Sequence, residues 1–241
     1  YLVLLHGFLS SRAQWAANLG RLSEFCRPVT VELLGHGRSA SPSDPAAYSP
    51  TAYVDSLEQI RAEIGADRWF LCGQSFGAGL TLRYALTHPE RVIGQAFTNS
   101  VSGLAPPVID AERRDAMLKL LRSDQPLTEL RYHPIHGKRL HPVAKAAMIE
   151  DADLLNRRGL EMSTRHTIPH LSVRDRVGET AVPTLLINGT WEKAFQPVAA
   201  FATEAIRGLQ VVELEGGHSI NAEAVDGFDA AIGAFITGLT P

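Results

Sequence analysis

Short apolar runs alternate with longer stretches whose apolar residues recur every three to four positions, and this rhythm fills most of the chain. The runs at 2–5, 28–33, 69–72, 92–98, 184–188 and 210–214 are blocks of strand length, as expected where a strand is buried on both faces. Residues 52–64 and 76–87 carry helical spacing. The first follows a turn-rich loop, 40–50, and starts at Ser49-Pro50-Thr51; the second stops at His88-Pro89, where proline breaks the hydrogen-bond ladder. Strands alternating with helices predict an α/β fold: a mostly parallel, doubly wound sheet with helices on both faces.

The rhythm breaks once. Residues 103–182 show no strand pattern; helical stretches at 111–122 and 142–157 fill the gap, separated by prolines at 126, 134 and 142. The expected organisation is a core of 1–102 and 183–241 with a helical lid, 103–182, inserted between two strands. The lid carries 13 Lys+Arg against 11 Asp+Glu, the rest of the chain 10 against 15, and five of the nine histidines (133, 136, 141, 166 and 170) lie in the lid. That asymmetry reads first as a solvated helical face and second as a site for a carboxylate-bearing substrate.

Composition narrows the class without naming it. At 241 residues, 45% apolar and 20% charged, the chain can bury one full core. No apolar run approaches ~18 residues, so no membrane helix is expected, and no charged-then-apolar leader opens the chain. A net charge of -3 gives no argument for nucleic acid or a membrane surface. Cys26 and Cys72 are too few and too scattered for a disulfide framework or a zinc site; they read as buried thiols, which suits a reducing compartment and makes the cytoplasm the expected location. No metal or cofactor is expected, the expected partner is a small-molecule substrate, and the oligomeric state stays open.

The chemistry sits in Gly73-Gln74-Ser75-Phe76-Gly77, a G-x-S-x-G between a strand pattern and a helix pattern. A sharp strand-to-helix turn strains the serine backbone and leaves no room for Cβ atoms two positions to either side, so Oγ projects above the sheet. Amides of the first helical turn, Phe76 among them, then point toward an oxyanion formed on the substrate. A lone match to this pattern is only a tight turn until other segments support it. Here 2–8 (LVLLHGF) is a strand pattern ending in His-Gly, and Gly216-Gly217-His218 follows the last strand pattern.

Together LLHGF, ELLGHGRS (32–39), CGQSFGAGL (72–80), LLINGTWE (185–192) and EGGHS (215–219) give the chain a strong resemblance to the α/β-hydrolase fold, over nearly its whole length. Two departures stand out: Glu32 where the family usually has aspartate, and Gly189-Thr190-Trp191-Glu192 where it usually has G-x-x-D. The chain also begins on the strand that normally comes third, so its start reads as trimmed.

The resemblance implies a nucleophile, Ser75, a base, His218, and an acid, Glu192, in the chain order Ser, Glu, His. The acid is the weakest of the three, since a glutamate beside Lys193 also reads as a surface residue; Asp110 and a Ser75-His218 dyad are the alternatives. Asn99 and Ser100 occupy the other place where such folds carry an acid. His6 is expected to shape the oxyanion loop and to move no proton. The backbone amides of Phe8 and Phe76 are the expected oxyanion hole, with both side chains lining the pocket. Trp191 is the expected pocket residue, with Ser10 and Trp15 as neighbours, although Trp15 reads equally as core.

These features point to a cofactor-independent serine hydrolase, acting on a small-molecule ester, lactone, thioester or activated C–C bond through an acyl-enzyme. A non-catalytic or slowly turning-over small-molecule receptor and an acyltransferase or perhydrolase are alternatives on the same residues. Relatives with an aspartate nucleophile, such as dehalogenases and epoxide hydrolases, are disfavoured by Ser75, and lipases for bulk lipid by the lack of an extensive apolar lid.

Overall fold

A computed structural model describes residues 1–106 and 111–240. Six strands form one parallel sheet: β1 (Leu2–Leu5), β2 (Pro28–Val31), β3 (Trp69–Gly73), β4 (Val92–Thr98), β5 (Thr184–Gly189) and β6 (Gln210–Leu214), in the order β2-β1-β3-β4-β5-β6. Among the described residues seven helices have nine residues or more: α1 (Pro50–Glu63), α2 (Phe76–Thr87), α3 (Ala111–Leu121), α4 (Pro142–Glu150), α5 (Arg157–His166), α6 (Gln196–Ala205) and α7 (Val225–Leu239). The strands fall where the apolar runs lie, with ends shifted by a residue or two.

The continuous apolar runs follow from burial on both faces. Side chains alternate across a strand, so Leu2 and Leu4 of β1 and Phe70 and Cys72 of β3 enter one core. Val3, Leu5, Trp69 and Leu71 enter another on the opposite face. The first core is closed by α7, whose Phe228, Ile232, Phe235 and Ile236 recur at helical spacing and are all buried. The second is closed by α1 and α2, and Phe195, Val198 and Ala202 of α6 with its approach cover the far half of that face. Trp15 lies in the first core against Phe228, with ring centroids 5.9 Å apart and no exposure.

Two boundaries differ from the sequence pattern. The strand expected to run to residue 33 stops at Val31, because the Leu33 N–H donates to His6 Nε2 and the Glu32 carboxylate accepts the Arg38 N–H; both turn the chain off the sheet. The helix expected over 142–157 is two helices. Asp151, just past α4, is held by Ser11 Oγ at 2.8 Å and by the Arg38 guanidinium, and Asn156 caps α5 by accepting the Gly159 N–H.

The segment between β4 and β5 contributes its own apolar contacts. Leu121, Leu127, Leu130, Leu155 and Leu160 cluster with Leu9 of the loop after β1, and Ala144 and Met148 pack with Ala13 and Ala222. Backbone bonds from Asn156 N–H to Gly35 and from His141 N–H to Ala222 fasten it over the carboxyl ends of the strands. No helix among the described residues is long and apolar enough to cross a membrane. Both cysteines are free thiols, Cys72 buried and Cys26 partly so.

Candidate functional site

Ser75, Glu192 and His218 all follow carboxyl ends of parallel strands, β3, β5 and β6, as does the Gly7–Phe8 loop after β1. Strand order places β1 and β3 side by side where the winding direction reverses, the place where open α/β sheets open a crevice.

Ser75 has φ 51° and ψ −108°, a conformation that side-chain-bearing residues avoid. The flanking glycines permit it. A Cβ on Gly73 would stand 2.5 Å from the Gly77 carbonyl oxygen, and one on Gly77 would stand 2.4 Å from the Leu5 carbonyl oxygen. The turn is pinned by Ser100 Oγ, which donates to the Ser75 carbonyl at 2.6 Å.

His218 Nδ1 lies 2.9 Å from both carboxylate oxygens of Glu192. The extra methylene of glutamate is therefore accommodated, and the G-x-x-E turn delivers the carboxylate to the imidazole. Asp110, the alternative acid, lies outside the described residues. Glu192 is itself oriented: its Oε2 accepts Asn99 Nδ2 at 2.8 Å, while Asn99 accepts the Gly189 N–H and donates to the Gly189 carbonyl. Asn99 is fully buried at the end of β4. In the sequence its signal was only an amide directly after a buried strand, at a place without an acid. The His218 backbone is held from both sides, with the Gly217 and Ser219 amides donating to the Glu223 carboxylate and the His218 carbonyl accepting Gln74 Nε2.

The loop after β1 is equally constrained. His6 Nε2 accepts the Leu33 N–H, so its proton resides on Nδ1, which donates to the Gly7 carbonyl at 2.8 Å. Burial pulls His6 down to about 4, so it is neutral at pH 7, with its single proton held by the Gly7 carbonyl. Leu9 has φ 59°, a second strained residue beside the crevice that the sequence did not announce. Among the described residues, neither the Phe8 nor the Phe76 amide donates to a protein acceptor.

A cavity of about 570 Å³ opens between this floor and the helical segment. Ser75, His218 and Glu192 line it together with Phe8, Gln14 and Trp191. Residues 131–138 form much of the opposite wall, including Arg131, His133, His136 and Lys138, so part of the segment's positive charge faces the cavity. Trp191, 37% exposed, lies under the Arg139 guanidinium at 4.5 Å. Two expected pocket positions are corrected: the Phe76 ring is buried among Phe8, His36 and Tyr53 in the core, and Ser10 directs its hydroxyl at Met148 Sδ at 3.7 Å. Trp15, read equally as core, is core. No cluster of three or more His, Cys, Asp or Glu among the described residues is placed to hold a metal.

Residues 2–231 match the model of the alpha/beta hydrolase family, and the chain belongs to that family. Its relatives span several reactions. It is 25% identical, over 98% of this chain and 90% of the relative, to the "Putative 2-succinyl-6-hydroxy-2,4-cyclohexadiene-1-carboxylate synthase" of Bacillus subtilis (strain 168). It is 31% identical, over 80% of this chain, to the human 1-acylglycerol-3-phosphate O-acyltransferase ABHD5, of which it spans 56%. Among solved structures, the esterase EaEST from Exiguobacterium antarcticum superposes with a TM-score of 0.84 at 20% identity, covering 98% of this chain and 91% of that one; at that identity the likeness concerns the fold.

Proposed function

We propose that this protein is a cofactor-independent serine hydrolase that cleaves a small-molecule ester, lactone, thioester or activated C–C bond through an acyl-enzyme on Ser75. The observation that carries the reading is that the strained Ser75 shares one cavity with a His218–Glu192 pair bonded at 2.9 Å. With Nδ1–H donated to Glu192, the other ring nitrogen of His218 is the acceptor, and it takes the Ser75 Oγ proton as Oγ bonds to the substrate carbonyl carbon. The carbonyl oxygen becomes an oxyanion received by the Phe8 and Phe76 amides, and the positive end of α2 favours the same charge. Collapse expels the leaving group, which takes its proton from His218. Water then attacks the acyl-enzyme, gives a proton to His218, and the acid leaves as Ser75 recovers its hydrogen.

A cavity of about 570 Å³ suits a small molecule. The similarity to an acyltransferase supports a second reading on the same residues, in which an alcohol replaces water as acceptor. Labelling with a fluorophosphonate and turnover of p-nitrophenyl esters test the proposal: wild type should label at Ser75 and turn over many equivalents. Ser75→Ala should not label and should lose ~10⁴-fold or more in kcat. A burst that stops at one equivalent would instead indicate a receptor, and a rate in Ser75→Ala within tenfold of wild type would end the covalent mechanism.

A further inference from the structure

Gln14 takes no part in the proton transfers above, yet its side chain connects two of the loops that perform them. It lies in the short turn Arg12–Trp15, is 1% exposed, and touches the cavity that contains Ser75. Its Oε1 accepts the Gly7 N–H at 3.0 Å and its Nε2 donates to Asn221 Oδ1 at 3.1 Å. Asn221, three residues beyond His218, returns a bond from Nδ2 to the Gln14 carbonyl at 3.0 Å. The chain of amides continues through Asn18 to the Asp229 carboxylate on α7, and every member is buried.

The consequence lies in the peptide planes. Phe8 N–H and Gly7 C=O belong to one planar trans unit, so when His6 Nδ1–H fixes the carbonyl, the Phe8 N–H must point the opposite way. The preceding unit, His6–Gly7, meets the next one at glycine, which resists rotation least, and it is held at both ends: its carbonyl accepts the Gly77 N–H at 3.2 Å and its N–H donates to Gln14. The Gly77 bond ties it to the elbow, and Gln14 adds the side-chain hold that ties it to Asn221. The conformation needs holding, because Leu9, two residues on, has φ 59° and would relax if the loop turned.

We propose that Gln14 is the positioning residue of the oxyanion loop, and that its pairing with Asn221 keeps the Phe8 amide in register with the loop that carries His218. The proposal rests on the reading of Ser75 as nucleophile. A network with a purely structural role supports the fold and nothing else. An amide that aims Phe8 N–H acts on the tetrahedral state and leaves ground-state binding largely alone.

The test compares wild type with Gln14→Met, close in length but without either polar atom. Three measurements apply: kcat and KM on p-nitrophenyl butyrate, inhibition by phenylboronic acid as a tetrahedral mimic of the oxyanion state, and active-site titration by fluorophosphonate. Complete loss of an oxyanion donor costs about 10²–10³ in kcat, so a misaimed one should cost roughly tenfold to a hundredfold, with KM changed less than about threefold and boronate inhibition weakened by the same factor as kcat. Should Gln14→Met not fold, Gln14→Glu keeps the acceptor for Gly7 and loses the donor to Asn221; a smaller fall, again equal in kcat and boronate affinity, is then expected. A folded variant whose kcat and boronate inhibition stay within twofold of wild type overturns the proposal, whatever its melting temperature. A wild-type chain inert to fluorophosphonate at Ser75 removes the nucleophile reading and this one with it; a reactive wild type with an unaffected variant removes this one alone.

Discussion

Glu192→Gln is the perturbation whose outcome the geometry specifies most closely. Glu192 Oε2 accepts Asn99 Nδ2 at 2.8 Å, and both Asn99 polar atoms are already fixed by Gly189. A glutamine at 192 must therefore turn its oxygen to Asn99 and its NH₂ to the place of Oε1, and both places are 2.9 Å from His218 Nδ1. An imidazole that accepts from the NH₂ carries its proton on Nε2 and leaves no acceptor facing Ser75; one that keeps its proton on Nδ1 donates to the amide oxygen but has lost the negative charge that stabilises the imidazolium. In either tautomer the base is impaired, with its shape and packing nearly unchanged. Amide-for-acid substitutions in such triads lower kcat by up to about 10⁴-fold, or about 5.4 kcal/mol at 1.36 kcal/mol per tenfold. KM should change by less than a factor of about five. The assay is steady-state hydrolysis of a p-nitrophenyl ester across pH 6 to 9, corrected for labelled active sites. Glu192→Asp keeps the charge and should recover part of the rate, its carboxylate falling about a methylene short of His218. A kcat for Glu192→Gln within tenfold of wild type would refute the reasoning, leaving a Ser75-His218 dyad as the next candidate.

Asp229 is buried and its carboxyl is pushed up to about 7 by that burial, against an ordinary value of 3.8. The folded chain thus keeps a proton that the unfolded chain has released between those values, so wild type loses stability as pH rises from about 4 through about 7. Asp229→Asn keeps an acceptor for Asn18 and does not titrate; urea unfolding should show the variant gaining on wild type by about 2 kcal/mol between pH 5 and pH 8. An equal difference at both pH values would contradict this. The Arg131 and Lys138 side chains on the cavity wall should favour an anionic substrate: p-nitrophenyl hemisuccinate should exceed the butyrate ester in kcat/KM by a few-fold, about 1 kcal/mol for two solvent-facing charges. The advantage should vanish in 0.5 M NaCl and in the Arg131→Gln, Lys138→Gln double variant; a neutral ester preferred at every ionic strength would restore the solvated-face reading.

Where the determinants are local, the sequence alone specified the outcome. Six strands follow from six apolar runs, because a strand covered on both faces has no polar side to show. The elbow follows from Gly73 and Gly77, because the backbone clash each avoids lies within a few residues or on the neighbouring strand. The resemblance to the α/β-hydrolase fold, carried by local motifs, offered Ser75, Glu192 and His218 as partners, with Asp110 and a Ser75-His218 dyad left open for the acid. The sequence could not say that Glu192 reaches His218, because that depends on how far the loop after β5 stands from the loop after β6. Nor could it identify Asn99, Gln14 or Asn221, amides unremarkable in type whose partners lie between 7 and 207 positions away. The break after α4 has the same origin: residues 142–157 carry helical spacing throughout, yet Ser11 and Arg38, more than a hundred residues earlier, claim Asp151. Tertiary structure decided these features because a buried polar group must find a partner, and its partner is whichever group the folded chain brings within about 3 Å.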